Sequence, residues 1–194
     1  MTNIYFETIR CDDFEVFNLE YHKKRIAKTV GLNINLEEYI YPPSECLTKC
    51  KLQYDSNHII QIDYSTYVKK QIRSFKVVFD DTIEYSKKYI DRHDIEKLYQ
   101  KKDNCDEIII VKNNLVTDTS IANIAILYKN RWITPKKPIL HGTTRARYID
   151  EELLVEEDID IDMLLNANKI GLLNAMIDFD IIDNFKIDLT RNQK

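Results

Sequence analysis

Short runs of β-branched and aromatic residues closed by polar turns alternate with stretches of helical spacing along this chain, and that alternation restricts it to a mixed α+β fold. Residues Ile4–Cys11 read as a strand, with Asp12-Asp13 as the turn into a second strand over Phe14–Asn18. Tyr21, Ile26, Val30 and Leu32 then recur at helical spacing and Gly31 stands where a helix stop belongs, which predicts a helix over Glu20–Val30. After the break at Pro42-Pro43, Leu47–Tyr54 and Ile59–Tyr67 read as strands joined by the turn Asp55-Ser56-Asn57, and Ser74–Phe79 as another. A second helix is placed at Asp91–Lys101, where Ile95 and Leu98 sit in a helix-favouring context. Strands follow at Glu107–Val111, Leu115–Thr117, Ile121–Tyr128 and Arg131–Thr134, with Asn113-Asn114 and Lys129-Asn130 as turns.

A chain of 194 residues can bury a core of its own, and we expect one compact unit with a lobe boundary between Tyr85 and Lys101. The partition is then a small N-terminal lobe at 1–84, a connecting segment at 85–101 and a larger lobe at 102–194. Hydrophobic residues at 44% with 31% charged place the chain among globular proteins. Its net charge of −4 comes from interspersed residues: Lys69-Lys70, Lys87-Lys88 and Lys136-Lys137 stand against Glu156-Glu157-Asp158 and Asp160. Without a stripe of one sign, neither nucleic acid nor an anionic membrane is the expected partner. The acidic stretch from Asp150 to Asp162 reads as a solvated helix face and loop.

Apolar runs such as Ile108-Ile109-Ile110-Val111 are far too short to span a bilayer, and no secretory pattern opens the sequence, so a cytoplasmic location is expected. Four scattered cysteines point to reduced thiols. Cys46 and Cys50 have a metal-like spacing, but only His58 lies near and no second pair follows, so no metal is expected.

Glycine-rich phosphate loops and the nucleophile elbow are absent. Leu140-His141-Gly142-Thr143-Thr144-Arg145 could present backbone N–H groups to an anion; taken alone it is better read as a turn into a helix with Thr143 or Thr144 as N-cap. Together with Thr117-Asp118-Thr119-Ser120-Ile121-Ala122-Asn123 and the hairpin ending in Thr134-Pro135, it is similar in order and spacing to the signature of the class IV (fold type IV) pyridoxal-phosphate enzymes. Upstream, Phe6-Glu7-Thr8-Ile9-Arg10 resembles that family's Phe-Glu-Thr strand and His22-Lys23-Lys24-Arg25-Ile26 its His-x-x-Arg-Leu helix. Lys88-Tyr89-Ile90-Asp91-Arg92 and Leu172-Leu173-Asn174-Ala175-Met176 resemble elements of the aminodeoxychorismate lyase branch.

The resemblance implies a two-lobed fold type IV architecture and pyridoxal 5′-phosphate as cofactor, held by Lys88 as a Schiff base, with Lys87 as the register alternative. It implies Asp118 as the carboxylate at the ring nitrogen, where the family usually has Glu. Arg25, Thr143, Thr144 and the backbone of Asn174 and Ala175 are implied as the phosphate cup. Phe6, Thr8 and Arg10 would share one strand face toward the substrate, with Arg92 near it, and His22 would support the Arg25 helix. The local alternatives are a salt bridge for Arg10, a helix-surface pair with Glu20 or Asp80 for Arg25, and a turn role for Asp118. A homodimer is expected, acting as a 4-amino-4-deoxychorismate lyase that releases pyruvate and 4-aminobenzoate. A class IV aminotransferase, which would use the same cofactor residues, is the second reading; a non-catalytic relative is the third, because the resemblance starts at the Phe-Glu-Thr strand and a reduced N-terminal lobe is expected.

Overall fold

The computed structural model describes residues 3–190 and divides the chain into two compact units. The first holds the chain up to Lys69 together with Lys87–Asp91, and the second holds Lys70–Ser86 and the chain from Arg92 onward. This division is not linear: the expected connecting segment at 85–101 is shared, its Lys88 portion returning to the first unit.

In the first unit, β1 (Tyr5–Asp12), β2 (Glu15–Val16), β3 (Thr48–Tyr54) and β4 (Ile59–Thr66) form an antiparallel sheet in the order β2-β1-β3-β4. The first turn lies one residue later than expected, because Asp13 and Phe14 take left-handed backbone at φ 50 and 60, as a two-residue hairpin with Asp12 opposite Glu15 requires. That shortens the second strand to two residues. Helix α1 (Leu19–Val30) ends where Gly31, at φ 79, donates its N–H to Ala27 O. Period-two alternation along β1 turns Tyr5, Glu7, Ile9 and Cys11 toward a core shared with Ile26 of α1, Leu36, Leu52 and Tyr54. The returning segment pairs beside β1: Phe6 N–H donates to Lys88 O and Ile90 N–H to Ile4 O, both at 2.9 Å.

The second unit is built on a mixed sheet. After β5 (Ser74–Phe79) come α2 (His93–Tyr99), β6 (Glu107–Lys112), β7 (Leu115–Thr119), β8 (Asn123–Tyr128), β9 (Arg131–Pro135), α3 (Thr143–Asp150), β10 (Val155–Glu157), α4 (Ile161–Leu165), β11 (Lys169–Asn174), β12 (Asp178–Ile182) and β13 (Lys186–Asp188). The path runs β10-β9-β8-β7-β6-β5-β13, with β11 added to β8 and β12 to β11. Asn113-Asn114 and Lys129-Asn130 have positive φ and make the expected hairpin turns. In place of the predicted acidic loop, Val155–Glu157 forms a parallel pair with β9. Helix two is shorter than predicted and continues as a 3-10 turn over Gln100–Lys102. Isoleucines dominate the core, with Ile109, Ile124, Ile126, Ile133 and Ile170 fully buried. Gly171 sits beneath the Phe179 ring, where a Cβ would lie 1.9 Å from a ring carbon. Among the described residues no helix is long and apolar enough to cross a membrane.

Candidate active site

Within the first unit, Lys88 Nζ lies 4.5 Å from the centre of the Phe6 ring, and Lys51 Nζ lies 5.5 Å from it. Phe6, Thr8 and Arg10 share one face of β1 by alternation. Arg10 Nη2 bonds Asp12 Oδ2 at 2.7 Å, and its guanidinium lies 5.2 Å from the centre of the Phe17 ring. The register alternative, Lys87, donates to Thr29 O at 2.9 Å.

On the core face of the same strand, Arg25 pairs with Glu7. Its Nε donates to Glu7 Oε1 at 2.8 Å, and its Nη2 donates to Glu7 Oε2. His22 Nδ1 also bonds Glu7 Oε2, at 2.6 Å. Burial pushes the Glu7 carboxyl up, but Arg25 and His22 outweigh it and hold the pKa down at about 2. Burial lowers the His22 pKa, and the nearby Arg25 and Lys88 charges add to this against the pull of Glu7. His22 is therefore neutral, with Nδ1 as the donor, and its buried Nε2 has no hydrogen-bond partner.

In the second unit, Asp118 and Asn123 face each other where β7 and β8 meet, across the loop Thr119–Ala122. That loop closes on itself through Thr119, whose N–H and Oγ1 both donate to Ala122 O. Asp118 Oδ1 accepts from Asn123 Nδ2 at 2.5 Å, and Oδ2 accepts from the N–H groups of Ile139 and Leu140 at 2.6 and 3.0 Å. The same Asn123 nitrogen donates to Leu140 O at 2.7 Å. Burial pushes the Asp118 carboxyl up to about 7, and these donors only partly offset it. Gly142 is required next to this pair, because a Cβ there would stand 2.0 Å from Asn123 Oδ1.

Gly142, in extended conformation, is the N-cap of α3, and no side chain caps it; neither Thr143 nor Thr144 takes the cap position expected for it. Thr143 and Thr144 are instead the first helical residues, both buried, and Thr144 Oγ1 is buried without a hydrogen-bond partner. Asn174 ends β11, where its Oδ1 accepts from the N–H groups of Met176 and Ile177 and its Nδ2 donates to Ile121 O. That side chain thus holds the turn that carries the backbone of Asn174 and Ala175. Arg92 donates to Ser120 O at 2.7 Å, and Ser120 Oγ donates to the buried Glu107 at 2.6 Å, so Arg92 braces the β7–β8 loop.

These residues fit the phosphorylated cofactor that the sequence implies. An uncapped helix start with an orphaned hydroxyl suits an anion, and a carboxylate oxygen accepts up to two donors, so Asp118 Oδ1 can take one beyond Asn123. Among the described residues no cluster of three or more His, Cys, Asp or Glu could hold a metal ion. Glu7, Asn123 and Gly142 had no assigned role in the sequence reading. For Glu7 a signal exists, since it stands in the buried phase of an alternating strand.

The chain has the fold of the fold type IV class. Residues 90–182 match the family described as amino-transferase class IV. An uncharacterized protein of Haemophilus influenzae is 34% identical over 182 residues, which are 88% of this chain and 96% of that one. A crystal structure from Haemophilus somnus, provisionally named a 4-amino-4-deoxychorismate lyase, is 32% identical, covers 91% of this chain and 97% of its own, and superposes with a TM-score of 0.84. The pyridoxal-phosphate-bound form of a hypothetical aminotransferase from Mycobacterium tuberculosis, 15% identical, shares the fold with a TM-score of 0.77 over 98% of this chain and 84% of that one. The chain belongs to the class IV aminotransferase family.

Proposed function

We propose that this protein is a pyridoxal 5′-phosphate-dependent lyase of the 4-amino-4-deoxychorismate type, releasing pyruvate and 4-aminobenzoate as a cytoplasmic homodimer. The observation that carries the cofactor assignment is Thr144 Oγ1, a buried hydroxyl without a partner in the first turn of an uncapped helix. A phosphate oxygen supplies the acceptor this group lacks. The choice of lyase rests on the 32% identity to the Haemophilus somnus protein and on the spacing of Lys88 to Arg92.

When bound, the cofactor supplies a ring that draws off the electron pair left as the substrate loses a proton. Lys88 Nζ would anchor the cofactor and, once the substrate amine displaces it, would accept the proton from the substrate carbon bearing that amine. Asp118 holds the proton of the ring nitrogen, with Asn123 fixing its orientation. Arg25, Thr144 Oγ1, the N–H groups of Thr143 and Thr144, and the backbone of Asn174 and Ala175 bind the phosphate. Phe6 and Thr8 line the substrate side, and Arg92 keeps the loop at Ser120 in place.

Turnover of 4-amino-4-deoxychorismate tests the proposal. Equal yields of pyruvate and 4-aminobenzoate, abolished in Lys88→Ala, support it. Amino acids that leave pyridoxamine phosphate and a keto acid instead would make the protein an aminotransferase. Sedimentation at a single protomer mass would remove the dimer from the account.

A further inference from the structure

We propose that Glu7 is a positioning residue that orients the Arg25 guanidinium toward an anionic group of the cofactor. The inference rests on the proposed function in taking Arg25 as a phosphate ligand.

Alternation along β1 places Tyr5, Glu7, Ile9 and Cys11 in the same buried phase, and Tyr5, Ile9 and Cys11 pack into the hydrophobic core. Glu7 is the exception, a carboxylate with 0% exposure. Burying a charge in that way is costly unless it is paired and hydrogen-bonded. Glu7 meets the requirement completely: Oε1 accepts from Arg25 Nε at 2.8 Å, and Oε2 accepts from Arg25 Nη2 and from His22 Nδ1 at 2.6 Å. With His22 neutral, one carboxylate balances one guanidinium.

Two-point contact does more than balance charge. Nε and Nη2 lie in the guanidinium plane, so bonding both to one carboxylate fixes that plane and the direction of Nη1, which lies outside the pair. A single-point charge pair would leave the group free to swing about its stem. His22 adds a third bond that stops the carboxylate from rotating.

The same stretch of β1 also fixes the candidate cofactor lysine. Phe6 N–H, one residue before Glu7, donates to Lys88 O at 2.9 Å, and Ile90 N–H donates to Ile4 O. One strand therefore places Lys88 through its backbone and Arg25 through the Glu7 side chain.

The test compares the affinity of the purified apoprotein for pyridoxal 5′-phosphate with that for pyridoxal, which lacks the phosphate, by absorbance titration of wild type, Glu7→Gln, Arg25→Met and Arg25→Lys. Glu7→Gln is expected to lower the phosphate-dependent ratio about tenfold while leaving pyridoxal affinity unchanged, because a lost charge-assisted pair is worth roughly that factor. An unchanged ratio in Glu7→Gln, or an equal loss for both ligands, overturns the positioning role and leaves only a structural ion pair. If wild type shows no phosphate preference, or Arg25→Met keeps it, the phosphate reading of Arg25 itself falls. Should Glu7→Gln fail to fold, Arg25→Lys decides: it keeps the charge without the two-point contact, so it must lose the ratio as Arg25→Met does. Retention of the ratio in Arg25→Lys overturns the proposal.

Discussion

Asp118 and Asn123 are cross-strand partners at the base of the β7–β8 hairpin, and their side chains meet there, Asn123 Nδ2 donating to Asp118 Oδ1 at 2.5 Å. Through Ile139 and Leu140 the same carboxylate is tied to the segment that leads into α3. A single buried acid thus links the hairpin to the helix start at Thr143 and Thr144.

Asp118 makes the stability of the apoprotein depend on pH. Its native pKa, pushed up to about 7, lies above the ordinary value of 3.8, so the unfolded chain releases the proton first. The contribution is greatest below pH 3.8 and is lost as pH rises through 7. Three pH units correspond to about 4 kcal/mol. Urea denaturation of wild type and Asp118→Asn across this window is expected to show their stability difference shifting against the wild type by that amount as pH rises.

Gly142→Ala should break the same junction. The new Cβ would stand 2.0 Å from Asn123 Oδ1, so the amide must leave Asp118 and Leu140. We expect a loss of about 2 kcal/mol for the overpacking and the broken hydrogen bonds. In an Asn123→Ala background the same substitution should cost much less, and a denaturant double-mutant cycle measures the coupling.

Glu7 acts in the opposite direction on the acid side. Its native pKa, about 2, lies below the ordinary 4.5, so its contribution is complete above 4.5 and disappears as pH falls toward 2. The stability gap between wild type and Glu7→Gln should narrow by about 3 kcal/mol over that range. Acid denaturation followed by circular dichroism checks it.

What the sequence could reveal follows from how local each signal is. Ser74–Phe79 is read without error because its β-branched run is self-contained, and the stop at Gly31 because one residue supplies the left-handed backbone. The strand at Val155–Glu157 was invisible: three residues amid acids acquire their conformation only by pairing with β9. Lys169–Asn174 carries a strand cue in Ile170, Leu172 and Leu173, which the overlapping motif Leu172–Met176 obscures. In the site, family order brought Lys88, Arg25, Asp118 and Thr144 to notice, but it could not show Glu7 gripping Arg25 across 18 residues of sequence. Nor could it show Asp118 reaching the backbone of Ile139 and Leu140, more than 20 residues away. Such partners are set by tertiary packing.

The proposed function requires Lys88 to carry the cofactor. Incubating the protein with pyridoxal 5′-phosphate, reducing with borohydride and mapping the peptides by mass spectrometry tests it directly. One pyridoxyl group is expected, on Lys88, and none in Lys88→Ala. Labelling at Lys87 or Lys51 instead, or no stable label at all, would contradict it.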